Sequence, residues 1–234
     1  MDRITRKELK QDRFREEVEH SVEYLGEHRR QLTLYGSIAL AVVVVGAGIY
    51  WYVGRQHSAR QAALREVIKT LDAAVGAGSN PGIKIFATQP EKDKAVDKAL
   101  TDLAARYPGK DEGIVARYYQ GVVASDKGNQ PEAEKHFAAI AAAGNDGYAS
   151  LARFALAEIY KSQGRTADAE KHLRYLAEHP TIFVSKEQAE ISLGALLATS
   201  KPAEARKLLD PLRTSTRPAV SRAAVSESAR ITKN

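Results

Sequence analysis

The sequence predicts an all-α protein in which one transmembrane helix precedes an α-solenoid of three to four helix-turn-helix repeats. The first observation behind this prediction is an uncharged stretch of 22 residues, 32–53. As a helix it would cross the roughly 30 Å hydrocarbon core of a bilayer. The second is a self-similarity within residues 117–176, where the chain resembles itself at an offset of 36 residues. A fixed period of this length is typical of stacked helical arrays.

The apolar stretch 32–53 favours an uncleaved membrane anchor. Ten of its residues are Leu, Ile or Val, and Tyr35 and Trp51 lie near its two ends, where aromatic rings prefer the headgroup region. A buried core helix seldom runs this long without a polar face. A cleaved signal peptide fits less well, because the preceding 31 residues contain eight Asp or Glu, whereas a signal peptide begins with a short basic region.

Charge restricts the partners and leaves the orientation open. The formal charge is +6, but residues 54–70 carry +3 and residues 213–234 carry +4, so the rest of the chain carries −1. Basic residues beside a span favour anionic headgroups over nucleic acid. Lys and Arg counts on the two sides of the span are similar. A short N-terminal segment before a larger C-terminal domain favours a cytoplasmic N-terminus with the C-terminal domain exported.

The remaining segments follow in order. Residues 1–31 are predicted to form a charged amphipathic helix, and residues 54–75 to continue as a helix off the membrane. Residues 76–90 carry three Gly and two Pro, which predicts a loop. Residues 91–213 hold the repeats, and residues 214–234 form a capping helix and tail. The N-terminal helix has one apolar stripe that a partner helix, the bilayer surface or a second copy could cover, formed by Phe14, Val18, Val22 and Leu25.

The repeat pattern predicts how its helices pack. Gly128 falls on Gly164 at the offset of 36, between the two helices of each pair. Small residues recur on the first helix, where a side chain would hold the paired helix away, and bulky residues recur on the second helix. The small residues are Gly121, Ala157 and Gly194, and the bulky ones are Phe137, Leu173 and Leu209. Each pair leaves one face uncovered, so neighbouring pairs must stack on it.

The spacing of small, Gly, Ala and Phe/Leu positions, clearest from Leu156 to Pro180, resembles the tetratricopeptide repeat. The period is 36 rather than about 34 residues, and the first helix lacks Trp. The whole layout is similar to the tetratricopeptide-like family that includes the ancillary subunit of the bacterial Sec translocon. This resemblance implies a bacterial inner-membrane protein with periplasmic repeats, which binds exported chains, the translocon or envelope machinery as a chaperone-like adaptor in protein export.

The resemblance also implies a protein-binding groove lined by the first helices. Its positions are Tyr118, Phe154 and Ile191, with Val122, Glu158 and Ala195 one turn on. The alternative is that these side chains are core between helices. The lysine and asparagine clamp that some members use for a C-terminal carboxylate is absent, because its positions hold Val115, Tyr119, Leu151, Ala155, Gln188 and Ser192. A client gripped there is therefore expected to be apolar or helical.

No motif in the sequence supports catalysis, a cofactor or a metal. The chain has no Cys, and the phosphate-binding, zinc-protease and serine-hydrolase motifs are all missing. His136 and His172 fall on equivalent repeat positions, which favours a polar helix edge over a metal site. We therefore expect a non-enzymatic, membrane-tethered scaffold that binds protein. The alternatives are a structural homo-oligomeric membrane spacer and a cytoplasm-facing assembly adaptor.

Overall fold

The computed structural model describes residues 29–76, 82–143 and 146–231 of the 234-residue chain. These residues are mostly helical, which confirms the predicted fold class. The helices are α1 (Arg29–Leu71), α2 (Gln89–Arg106), α3 (Asp111–Asp126), α4 (Gln130–Ala142), α5 (Asp146–Ser162), α6 (Thr166–Glu178), α7 (Lys186–Leu197), α8 (Pro202–Leu209) and α9 (Pro218–Ile231). Contacts between residues divide the chain into two units after Ala59. The predicted stripe of Phe14, Val18, Val22 and Leu25 lies outside the described residues.

Helix α1 contains the predicted anchor. Its most apolar 18-residue window has a mean hydropathy of 1.9, and none of that window is buried within the molecule. Large side chains such as Val43 and Ile49 expose 66% and 59% of their surface. A core helix of a soluble domain would be mostly buried. By length and composition this helix can cross a membrane, and among the described residues one helix of this kind is found.

The region after α1 differs from the predicted boundaries. The helix ends at Leu71 rather than residue 75, and two short strands, β1 (Ala74–Val75) and β2 (Ile85–Phe86), pair in parallel. The predicted loop 76–90 therefore contains a strand. Strands of two residues show no alternating pattern, so the sequence gives no signal for them.

Helix α2 begins two residues earlier than predicted, at Gln89. Thr88 caps it, because its hydroxyl oxygen accepts a hydrogen bond from the Glu91 backbone N–H at 3.4 Å. Pro90 lies in the first turn, where a missing N–H breaks no helical hydrogen bond. Pro90 is therefore part of the first turn of the helix and not the last residue of the loop.

A buried ion pair connects the last part of α1 to α3. Glu112 is 2% exposed, and Nε of Arg60 lies 3.2 Å from one of its carboxylate oxygens. The Gln61 amide donates a hydrogen bond to the other oxygen at 2.9 Å. Beside this pair, Val67 of α1 packs in one apolar cluster with Val96 and Leu100 of α2. The last part of α1 thus shares an apolar cluster with α2 and an ion pair with α3.

Three helix pairs follow, α3 with α4, α5 with α6 and α7 with α8, and each helix packs on the next. The turns of the first two pairs use Gly128 and Gly164, whose φ angles of 74° and 73° lie in the left-handed region that favours glycine. The third turn, residues 198–201, has four residues instead of three and contains no glycine. The core of these pairs is formed by side chains such as Phe137, Leu173 and Leu209, which are 2% exposed or less.

The close approaches predicted from small residues are present. A Cβ atom on Gly121 would lie 2.7 Å from the Phe137 ring, and one on Gly194 would lie 2.7 Å from Cγ of Leu209. Real side chains do not approach this closely. Ala157, which is 1% exposed, holds the equivalent position in the middle repeat. The distance between the two helices of a pair is therefore set by the side-chain sizes at two facing positions, one on each helix.

An ion pair recurs between successive repeats. Arg165, in the turn between α5 and α6, donates to Glu134 of α4 at 3.1 Å. Lys201, in the next equivalent turn, donates to Glu170 of α6 at 2.8 Å. Both pairs span 31 residues, and both members move on by 36 residues. Equivalent glutamates, Glu134 and Glu170, thus link the second helix of one repeat to the turn within the next repeat.

Helix α9 covers the end of the array. It packs against α7, α8 and a short 3-10 helix, Asp210–Thr214. Ala224 and Ile231 are 0% and 5% exposed. The sequence predicts a capping helix and tail over residues 214–234, and the observed helix is Pro218–Ile231.

Candidate functional site

The site lies between the first helices of two adjacent repeats, α3 and α5. These helices leave an open cavity of about 290 Å³ between them, with Phe137 of α4 in its wall. The lining is half apolar and half polar. It consists of Tyr118, Val122, Ser125 and Asp126 from α3, Gln130 and Phe137 from α4, and Ala155, Glu158, Ile159 and Ser162 from α5.

Three of the six groove residues predicted from the resemblance meet in this cavity. They are Tyr118, Val122 and Glu158. Tyr118 and Val122 are half-buried, and they pack against the main core while also facing the cavity. Glu158 is exposed. The structure therefore brings together three of the four groove positions of the first two repeats.

The other three predicted residues lie elsewhere. Phe154 is half-buried and packs against two apolar clusters, one of them formed by Leu176, Val184 and Ala189. Ile191 packs against the main core, and Ala195 is half-buried on α7. Phe154 and Ile191 thus have the inter-helix contacts of the alternative interpretation. A binding role for the six residues stays a prediction.

Sequence reasoning misses the polar end of the cavity, although a signal was present. Asp126 follows Tyr118 and Val122 at steps of four residues, so it continues the same helical face. Ser162 follows Ala155 by seven residues on α5, which also preserves the face. The apolar periodicity ends before these polar residues. The helix faces themselves continue through Asp126 and Ser162.

The cavity wall is acidic. Its lining includes the carboxylates of Asp126 and Glu158 and no Lys, Arg or His. Glu158 is paired with Lys161 at 3.3 Å. No described basic side chain lies within ion-pair distance of Asp126. The neighbouring Lys127 pairs with Asp93 at 3.8 Å. The electrostatic potential in the cavity therefore favours a positively charged group.

A row of aromatic side chains leads away from the cavity. The Tyr118 ring lies 5.7 Å from that of Tyr148, which lies 5.5 Å from Phe183. Burial raises the pKa of Tyr118 above its ordinary value of 10.0, so its hydroxyl stays protonated and can donate a hydrogen bond. Beyond Phe183, Ile182 is 93% exposed. The row extends the apolar surface towards the loop before α7.

The two equivalent histidines have structural contacts. His136 pairs with Glu132 at 3.1 Å, and the His172 ring stacks on Tyr160 at 5.7 Å. Burial lowers the pKa of both imidazoles below the ordinary value of 6.5. Within the described part of the chain, no group of three or more His, Asp or Glu is arranged to hold a metal ion.

A second, larger cavity of about 570 Å³ lies between the end of α4, the start of α5 and the end of α6. Arg153 occupies its wall, with its guanidinium 4.2 Å from the Tyr175 ring centre and one N–H donating to the Ala141 carbonyl at 2.8 Å. The His179 ring also stacks on the Tyr175 ring, with 4.3 Å between the two ring centres. Its polar groups are already engaged with one another.

Comparison with known proteins matches the chain to one family model. The model of the tetratricopeptide repeat-like domain matches residues 27–210, well over half of the chain. The match covers α1 to α8 and ends before the capping helix. No curated protein and no solved structure gives a significant match.

Proposed function

Because this chain belongs to the tetratricopeptide repeat-like family, we propose that it is a non-enzymatic, membrane-tethered scaffold whose helical repeats bind protein partners. Stacked repeats of this kind generally act as protein-interaction modules, since stacking creates an extended surface from many short helices. One observation carries the proposal here. The cavity between α3 and α5 exposes parts of Tyr118 and Val122 that the core does not cover.

The tether is helix α1. Its apolar window is unburied, and a row of exposed Val and Ile side chains of this length is unfavourable in water. Tyr50 and Trp51, 83% and 65% exposed, lie where an interfacial aromatic belt would be. Insertion of residues 32–53 into a bilayer would remove this apolar surface from water.

The finer proposal concerns the compartment and the partners. The layout is similar to that of the ancillary subunit of the bacterial Sec translocon, with one anchor before degenerate repeats. By this similarity the protein is a single-pass inner-membrane protein with its N-terminus in the cytoplasm and its repeats in the periplasm. Its partners would be exported chains, the translocon or other envelope-assembly machinery.

Site-specific photo-crosslinking in bacterial membranes tests the binding role. Benzoylphenylalanine replaces Ser162, which lines the cavity, or Lys171, which is exposed on α6 outside it. We expect adducts with exported or envelope proteins from position 162 and few from position 171. Val122→Trp, which fills the cavity, should remove the adducts from position 162.

Two outcomes would contradict the proposal. Equal adducts from positions 162 and 171, unchanged by Val122→Trp, would exclude the cavity as the binding surface. Adducts between copies of this chain alone would instead favour the structural spacer. Far-UV circular dichroism of each variant checks that the helical fold is intact.

A further inference from the structure

We propose that the cavity between α3 and α5 receives a lysine or arginine side chain of the bound protein segment, flanked by apolar residues of that segment. The inference rests on the proposed protein-binding function and adds the chemistry of the partner. Three features of the cavity support it: its charge, its position at helix ends, and its mixed lining.

The charge of the wall is one-sided. Asp126 and Glu158 contribute carboxylates, and the ten lining residues include no cation. Lys161 pairs with Glu158 from outside the lining, whereas Asp126 has no described cation within ion-pair distance. An acidic segment would meet like charges here, and a basic one would meet an available carboxylate.

Helix ends add to this negative potential. Asp126 is the last residue of α3 and Ser162 is the last residue of α5, so both carboxyl-terminal ends lie at the cavity. The C-terminal end of a helix carries partial negative charge and favours cations. The last turn of α3 contains no basic residue. An acid at this position is unfavourable by itself, and a cationic partner would relieve it.

The lining also offers an acceptor without a donor. Oε1 of Gln130 is buried and accepts no hydrogen bond from the described residues. A buried acceptor without a donor is costly. If the Gln130 amide turned towards the cavity, an ammonium or guanidinium group, with three to five N–H donors, would satisfy it. The Gln130 amide lies in the same wall as Asp126.

The apolar part of the lining suits the stem of a basic side chain. Val122 and Ile159 can pack against its methylene groups. The volume of about 290 Å³ is at the lower limit of pockets that enclose a whole small ligand. It fits one side chain of a longer segment, whose neighbouring apolar residues can reach Tyr148 and Phe183.

The test uses the full chain in nanodiscs of phosphatidylcholine, a lipid without net charge. A phage-displayed library of random peptides is selected against this chain, with the Val122→Trp chain as counter-selection. We expect the selected peptides to be enriched in Lys or Arg next to apolar residues. Replacing that basic residue by Gln in the strongest binder should weaken binding about fivefold or more in fluorescence anisotropy.

Variants of the protein that lack one carboxylate test the same contact from the side of the cavity. Asp126→Asn and Glu158→Gln should each weaken the strongest binder by about two- to fivefold, and the effect should shrink as salt is raised. The control is Asp102→Asn, an exposed acid paired with Lys98 on α2. It should leave affinity unchanged. Circular dichroism confirms the fold of each variant.

The outcomes separate the two proposals. Binders without basic enrichment, bound equally well by the Asp126→Asn and Glu158→Gln chains, would overturn this inference and leave the protein-binding function intact. A selection in which the original and Val122→Trp chains retain the same peptides would exclude the cavity as the binding surface, and a selection that recovers no binders would overturn the proposed function itself.

Discussion

Gly121 and Phe137 show at the residue scale how the distance between two paired helices is fixed. A Cβ atom on Gly121 would lie 2.7 Å from the ring, and Phe137 is only 2% exposed, so the ring has little room to move. The middle repeat combines Ala157 with the smaller Leu173 at the same positions. In these two repeats a larger residue on one helix accompanies a smaller one on the other, whereas the third repeat combines Gly194 with Leu209.

We predict that Gly121→Ala and Phe137→Leu are each destabilising but compensate each other in part. Alanine gains about 1 kcal/mol of helix propensity, whereas overpacking against the ring costs about 1–3 kcal/mol. The smaller leucine leaves room for the new methyl group. Urea unfolding of the full chain in detergent should give a favourable coupling of about 1 kcal/mol, and simple additivity of the two changes would contradict it.

The histidines of α4 and α6 predict a pH dependence. Burial lowers the pKa of His172, with nearby Arg153 and Lys171 adding to the effect. Burial also lowers the pKa of His136, although Glu132 opposes it. The folded state then binds fewer protons than the unfolded state. Stability is therefore fully present above the unfolded pKa of about 6.5 and falls as the pH drops below it.

Unfolding at pH 7.5 and pH 5.5 measures this effect. We expect the urea midpoint of the full chain to be lower at pH 5.5. His172→Phe, which keeps the stacking on Tyr160, combined with His136→Gln should reduce the difference. An unchanged difference in this double variant would show that other groups cause it. Carboxylates such as Glu170, whose pKa is lowered by Lys201 and Arg174, titrate below this window.

At the element scale, the sequence is informative where a pattern repeats. The pairing of α3 to α8 and the matched positions at Gly121 and Phe137 follow from the 36-residue period. The strand pair β1–β2 does not, because two residues have no periodicity. The ties from Glu134 to Arg165 and from Glu170 to Lys201 were detectable as a constant 31-residue spacing, but charged side chains on exposed turns have many available partners.

The pair of Glu112 and Arg60 predicts how firmly the end of α1 is held on α3. Glu112 is 2% exposed, so removing it takes the carboxylate from a guanidinium whose side chain is itself only 19% exposed. We expect Glu112→Ala to lower the free energy of unfolding by about 3 kcal/mol. Asp102→Ala, which removes an exposed ion pair with Lys98, should cost less than about 1 kcal/mol. Equal costs in urea unfolding would contradict a structural role for the buried pair.

The repeat pattern predicts some residues of the candidate site and gives no signal for others. Tyr118, Val122 and Glu158 fall on groove positions of the repeat pattern. Asp126 and Gln130 lie at helix ends, where apolar periodicity stops and no residue type is required. Their importance appears only once α3, α4 and α5 are placed side by side. This explains why an apolar client is expected from sequence, whereas the cavity favours a basic one.

On the scale of the whole molecule, one chain joins an apolar helix to an array of helical repeats. The family match establishes the array, and the composition of α1 gives it a means of attachment. The proposed work on exported chains further requires that the array lie on the side of the membrane where those chains emerge. That requirement is independent of every packing argument.

Cysteine labelling tests it most directly, because the chain has no cysteine of its own. Lys171→Cys places one thiol on the exposed face of α6, and Lys7→Cys places one before the apolar stretch. We predict that a membrane-impermeant maleimide labels position 171 in cells with a permeabilised outer membrane and labels position 7 only after lysis. The reverse pattern, or recovery of the chain in the soluble fraction, would contradict the account.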